Sequence, residues 1–248
     1  MQAVCLSDDL IEEYINFKYG NSFDTRLVTK LLKFIQPALV CTSQHPLFQD
    51  ISAVGQFTAD PIINLTNFEA ETSQLTASQL VDKTILKVQL VTKKNNNADF
   101  TQLDINALSD NFERLNMLLT GVHETNTHKQ EALNHIKALI SDAEFVKITD
   151  FYIHKNNNWK QSESVLDEIL PRKNILVKII ADNFDKHVPL EKLFTDWKVK
   201  AEQINQNVHD RYIETDKIKI MLSSGIFHLS KKSDKDLTYT VRIKNDKV

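Results

Sequence analysis

From Phe145 onward the chain alternates short apolar runs with helical stripes, and this alternation narrows the fold more than any other feature. Ile175 to Ala181 is apolar and β-branched, which reads as a buried strand. Around it the pattern predicts a strand over Phe145 to Ile153 and a short helix over Ser164 to Leu170, stopped by Pro171. A helix over Leu190 to Val199 follows, then strands over Ile204 to Ile213 and Lys217 to Leu222, and an alternating run from Leu237 to Ile243. Strand, helix, strand, helix, strand is the rhythm of βαβ crossovers. The expected class is α/β, with a mixed sheet flanked by helices.

The first half is less regular and reads as an α/β or α+β region. Ser7, Asp8 and Asp9 look like a helix cap and an acidic first turn. Leu10, Ile11, Tyr14 and Ile15 then recur at helical spacing. A second helix is expected over Asp24 to Ile35, with Leu27, Val28, Leu31, Leu32 and Ile35 on one face and Pro37 beyond it. Val40 to Thr76 is irregular. Ile85 to Val91 alternates, with Leu86, Val88 and Leu90 on one side and Lys87 and Gln89 on the other, which predicts a strand with one buried face. Lys93 to Asn97 reads as a turn and Leu108 to Leu119 as a helix. Gly121 to Thr127 is the most polar break, so the expected domains are residues 1–124 and 125–248. Glu131 to Ile140 then reads as a helix.

Composition excludes several classes. The 248 residues carry a formal net charge of -3, which gives no overall basic footprint, although a local patch is compatible with it. No apolar run reaches the roughly 18–20 residues of a membrane span. The first ten residues lack a secretory pattern. Two cysteines, Cys5 and Cys41, make no disulfide framework, so the chain reads as cytoplasmic with reduced thiols. Four glycines leave almost no room for a Gly-rich phosphate loop. No cofactor or metal is expected.

His209, Arg211 and Asp216 stand in VHDRYIETD, followed by KIKIML and then Ser223, Ser224 and Gly225. This resembles the phospholipase D superfamily signature, His-x-Lys-x4-Asp, then six residues and a small pair. The spacing holds throughout, with Arg211 where the family has lysine and Ser223 where it usually has glycine. Ile148 to Ile153 is similar to the family's early strand with an acidic-aromatic pair, here Asp150 and Tyr152. The flavour is that of the degenerate branch that includes the C-terminal domain of MIT-domain proteins. The resemblance covers about residues 131–244.

The resemblance implies roles. His209 would be the nucleophile, forming a covalent phospho-enzyme. Arg211 would clamp phosphate oxygens. Asp216 would orient the imidazole. Ser223 and Ser224 would border the phosphate, with Asp150 and Tyr152 as neighbours. Arginine for lysine preserves phosphate binding better than turnover, because guanidinium is bidentate and does not become a neutral proton donor near pH 7. Active members also pair two motifs, within one chain or across a dimer.

Other residues receive blander readings. His135, Lys137 and Asp142 match the bare motif without substitution, yet they sit on a stripe of helical spacing with no small pair beyond, so this match is set aside. His128, Glu131 and His135 could line a metal-binding helix face, but a solvated face is the expectation. His154 reads as a surface-loop histidine, Trp159 and Trp197 as packing residues, and Lys231 to Asp236 as a hairpin tip.

The leading expectation is a degenerate phospholipase D-like recognition or assembly module for a phosphate-bearing ligand such as nucleic acid. It would act in a homodimer or larger protein complex. The resemblance associates such domains with bacterial defence and mobile elements. The alternative is a metal-independent phosphodiesterase, a nuclease, active as a homodimer through His209. A third reading is a plain protein- or membrane-docking surface.

Overall fold

The computed structural model describes residues 4–34, 40–41, 75–107, 118–123, 129–154, 159–182, 194–203, 209–230, 233 and 235–244. The fold is α/β, in two compact units, 1–118 and 119–248.

The first unit holds an all-parallel sheet. Its strands are β1 (Val4–Leu6), β2 (Val40–Cys41), β3 (Val88–Val91) and β4 (Thr101–Asp104), in the order β2-β1-β3-β4. Helix α1 (Asp8–Tyr19) buries the predicted stripe Leu10, Ile11, Tyr14 and Ile15, and Gly20 closes it at φ 71, a left-handed position suited to glycine. In α2 (Thr25–Phe34), Val28 and Leu31 are buried but Leu32 is 44% exposed, so the inward face is narrower than expected. Asp24 caps this helix, accepting from the Arg26 and Leu27 N–H groups.

One expectation for this unit is corrected. Strand β3 is buried on both faces, with Gln89 only 6% exposed, because it lies inside a parallel sheet between β1 and β4. A short helix, α3 (Ala77–Lys83), which the sequence reading did not name, follows the segment read as irregular. Its capping box joins Thr76 and Gln79. Most of Val40 to Thr76, residues 108–117 of the expected Leu108 helix, and Ile35 lie outside the described residues.

The second unit is a seven-stranded mixed sheet in the order β5-β11-β10-β9-β6-β7-β8. The strands are β5 (Leu118–His123), β6 (Phe145–Thr149), β7 (Ile175–Ala181), β8 (Trp197–Gln203), β9 (Arg211–Glu214), β10 (Ile218–Leu222) and β11 (Leu237–Ile243). β6, β7 and β8 are parallel, whereas β9 runs antiparallel to β6 and to β10. Val146, Ile148, Val177, Ile179, Ile213 and Ile220 are fully buried on one face. Each such side chain contributes roughly 1.5–3 kcal/mol relative to an exposed position. Helices α4 (Lys129–Ile140) and α5 (Trp159–Ile169) and the 3-10 turn Ile226–Leu229 pack together.

Here too some expectations change. Gly121 lies within strand β5 rather than in a break, so the division between units falls before residue 124. Strand β6 ends at Thr149, and Asp150 to His154 form a turn. The expected helix over Leu190 to Val199 is overturned from Trp197 onward. Trp-Lys-Val-Lys has period two, and Trp197 turns inward to donate from Nε1 to the Pro171 carbonyl at 2.8 Å. Among the described residues no helix is long and apolar enough to cross a membrane.

Candidate phosphate site at the carboxyl edge of the larger sheet

β6 ends at Thr149, which pairs with Tyr212 near the start of β9, and Arg211 pairs with Leu222 at the end of β10. These registers gather Asp150, Tyr152, His209, Arg211 and Ser223 to Gly225 at the edge where the parallel strands end. Ligands of open α/β sheets bind at that edge.

Asp150 organises the edge. Its carboxylate accepts from the Tyr152 N–H at 3.0 Å and from the Ile226 N–H at 2.8 Å. The second bond ties the start of the 3-10 turn to the end of β6. Asp150 is 1% exposed, and burial pushes its pKa up. The two backbone donors and the Arg211 charge pull the other way without cancelling that effect. Gly225 is needed beside it. A Cβ there would stand 2.6 Å from a Phe227 ring carbon and 3.3 Å from Asp150 Oδ2.

Arg211 is drawn inward but incompletely satisfied. Its side chain is 20% exposed, and Nε lies 3.8 Å from Asp150 Oδ1. That distance makes an ion pair and is too long for a hydrogen bond. Nε–H is buried with no hydrogen-bond acceptor among the described residues. One terminal nitrogen donates to the His209 carbonyl at 2.9 Å. The guanidinium stacks over the Tyr152 ring at 5.6 Å, and the His209 ring lies 6.1 Å from the same ring. The His209 side chain is exposed. Ser223 is held in place, its N–H donating to the Thr238 carbonyl and its Oγ accepting from the Thr238 N–H, both at 2.9 Å. Ser224 stands half-buried beside it.

Part of the chain is similar to solved structures at low sequence identity. NucT from Helicobacter pylori matches at 16% identity over 50% of this chain and 86% of its own, with a TM-score of 0.32. Nuc from Salmonella typhimurium, a phospholipase D family member, matches at 13% identity over 52% and 82%, also at 0.32. TrmBL2, an archaeal chromatin protein, matches at 10% over 50% and 45%, at 0.26. No protein-family model and no curated protein matches the chain.

One expected member is not brought to the site. Asp216 lies in the β9–β10 turn, at the opposite end of β9 from Arg211, and accepts from the Glu144 N–H at 3.1 Å. At about 3.3 Å per strand residue it stands on the order of 15 Å from Arg211, too far to orient His209. The nearby buried acid is Asp150 instead, and its carboxylate faces Arg211 rather than the imidazole.

The other histidines are also placed. His135 sits inside α4, 1% exposed, with Nδ1 2.5 Å from the Tyr239 hydroxyl. It belongs to the core, which corrects the solvated-face reading and agrees with setting aside its motif. His128 lies outside the described residues. His154 is half-buried against the Trp159 ring at 4.9 Å, and burial lowers its pKa, so it is less superficial than a loop histidine. No three His, Cys, Asp or Glu side chains among the described residues could hold a metal ion. The 3-10 turn and its tie to Asp150 went unread in the sequence. A glycine closing the small-residue run was the available signal.

Proposed function

We propose that the larger unit is a phospholipase D-like recognition module, and that its carboxyl edge holds a phosphate-bearing ligand with Arg211 as the clamp. The carrying observation is the incomplete satisfaction of Arg211. Its carboxylate partner stands 3.8 Å away, with both oxygens engaged by backbone N–H groups. A half-buried guanidinium in that condition attracts further anionic acceptors, and phosphate oxygens match its fork. Turnover has less support. A nucleophilic imidazole needs an orienting partner, and Asp216 is occupied at the far turn. Titration of inorganic phosphate into the intact chain tests this reading. Binding should weaken tenfold or more in Arg211→Ala, from the loss of a charge-assisted bond of roughly 1.5–3 kcal/mol. Equal binding by the variant would remove the clamp from the account.

One observation favours a second reading. The exposed His209 ring stands at an open edge, where a second copy of the chain could bring another histidine opposite it. That arrangement would be a metal-independent phosphodiesterase active as a homodimer. It requires self-association, cleavage of nucleic acid in the presence of EDTA, and complete loss in His209→Ala. A monomer without cleavage would end it.

A further inference from the structure

The strand register places a different chemistry on the other face of the larger sheet. One hydrogen-bonded row crosses six strands: Lys200 on β8, Lys178 on β7, Lys147 on β6, Glu214 on β9, Lys219 on β10 and Arg242 on β11. Strands lie about 4.8 Å apart, so the row is about 24 Å long. All but one of its side chains are cations. The alternate residues on these strands, such as Val177, Ile213 and Ile220, are the buried ones, so the row lies on the face opposite the core.

The carboxylates on this face are outnumbered. Glu214 lies 3.6 Å from Lys147, 3.7 Å from Lys219 and 3.5 Å from Lys244, so one acid serves three ammonium groups. Glu202 pairs with Lys178 at 2.7 Å. Asp210, just before β9, accepts from the Tyr212 hydroxyl at 2.7 Å. Lys198, Lys200 and Arg242 are exposed and make no ion pair among the described residues. A chain of net charge -3 has therefore collected cations on one flat surface.

The neighbouring row carries one aromatic ring and one exposed apolar side chain between two threonines. Thr149 pairs with Tyr212, Tyr212 with Met221, and Met221 with Thr240. Met221 is 46% exposed, and the Lys219 ammonium lies 3.5 Å from the centre of the half-exposed Tyr212 ring. A cation row beside an accessible aromatic ring and an exposed apolar side chain suits a single strand, with phosphates on the charges and a base on the π-face.

We infer that this sheet face binds single-stranded nucleic acid, with phosphates along the Lys200–Arg242 row and bases over Tyr212 and Met221. The surface shares no residue with the Arg211 site, because Arg211 alternates with Tyr212 and points to the inner side with Leu222. The inference stands whether or not that site binds phosphate.

The test is fluorescence anisotropy of a labelled oligothymidylate with the intact chain, from about 50 to 200 mM salt. Lys200→Gln with Arg242→Gln, two exposed changes, should weaken binding about tenfold at low salt. The pair should also lower the log–log salt slope by about 1.4, near 0.7 for each lost phosphate contact. Glu214→Gln should tighten binding and steepen the slope, which loss of folding cannot imitate. Tyr212→Ala should weaken binding about tenfold with no change of slope. Unchanged binding by the Lys200/Arg242 pair overturns the inference. So does loss in Arg211→Ala alone, or binding to phosphatidylserine vesicles without binding to the oligonucleotide.

Discussion

At the scale of single residues, Asp150 does more than a family motif would assign to it. It follows directly on β6, anchors the 3-10 turn through Ile226 and faces Arg211. Its raised pKa carries a definite sign. The folded chain holds the Asp150 proton more tightly than the unfolded chain does, so this group's contribution is fully present below the ordinary value of 3.8. The contribution is lost as pH rises through the folded value. Asp150→Asn removes that dependence and leaves one backbone N–H without its acceptor. Urea unfolding should therefore show the variant less stable by about 1–3 kcal/mol. The gap should be widest in acid and should narrow as pH rises above 3.8. A gap that widens with pH would show that the ion pair with Arg211, rather than burial, governs Asp150. The two motif histidines should differ in the same measurement. His135→Ala empties a core position and removes a hydrogen-bond partner of the Tyr239 hydroxyl, so it should cost about 2–4 kcal/mol. The exposed His209→Ala should stay within about 0.5 kcal/mol. Equal costs would contradict the placement of His135 in the core and His209 at the open edge.

At the scale of elements, the Ser223–Ser224–Gly225 run and the 3-10 turn act as one piece. Gly225→Ala should push the Phe227 ring aside and cost about 1–3 kcal/mol, and Phe227→Ala in the same chain should recover part of that loss. Additive losses in the double variant would mean that the two do not touch. The legibility of the elements followed the length and purity of their patterns. Ile175 to Ala181 and Leu237 to Ile243 were readable to the residue, the first as an unbroken apolar, β-branched run and the second by its alternation. Val4 to Leu6 is too short for any period to show, and it forms a strand only because β3 and β2 flank it. The stripe around Leu190 carried a helical reading into Trp197, where the sheet edge prevails. At the candidate site, Asp150, Tyr152, His209 and Arg211 were singled out through the motif resemblance, and the strand registers bring them to one edge of the sheet. Asp216 was misplaced because sequence distance along a hairpin says nothing of which end the turn occupies. The basic row was invisible in the net charge, and emerges only when register aligns lysines from separate strands.

At the scale of the whole molecule, the two units have separate sheets, and the larger one needs its first strand. A fragment beginning at residue 118 includes β5, whereas one beginning at residue 125 leaves β11 with an open edge. The longer fragment should unfold at higher denaturant and stay soluble, and the shorter one should tend to aggregate through that edge. Equal behaviour would mean that β5 adds nothing to the sheet. The larger unit separates its charges by face: a single fixed guanidinium at the carboxyl edge and a lysine-rich row on the open side. The central claim concerns the first of these, that Arg211 makes the edge a phosphate-recognition site rather than a catalytic one. Arg211→Lys tests it most directly, with phosphate binding and phosphodiester cleavage measured on the same preparation. The account predicts binding weakened toward that of Arg211→Ala, because lysine lacks the planar fork, and no gain of cleavage. Cleavage that appears or rises with lysine, and disappears again in His209→Ala, would contradict it.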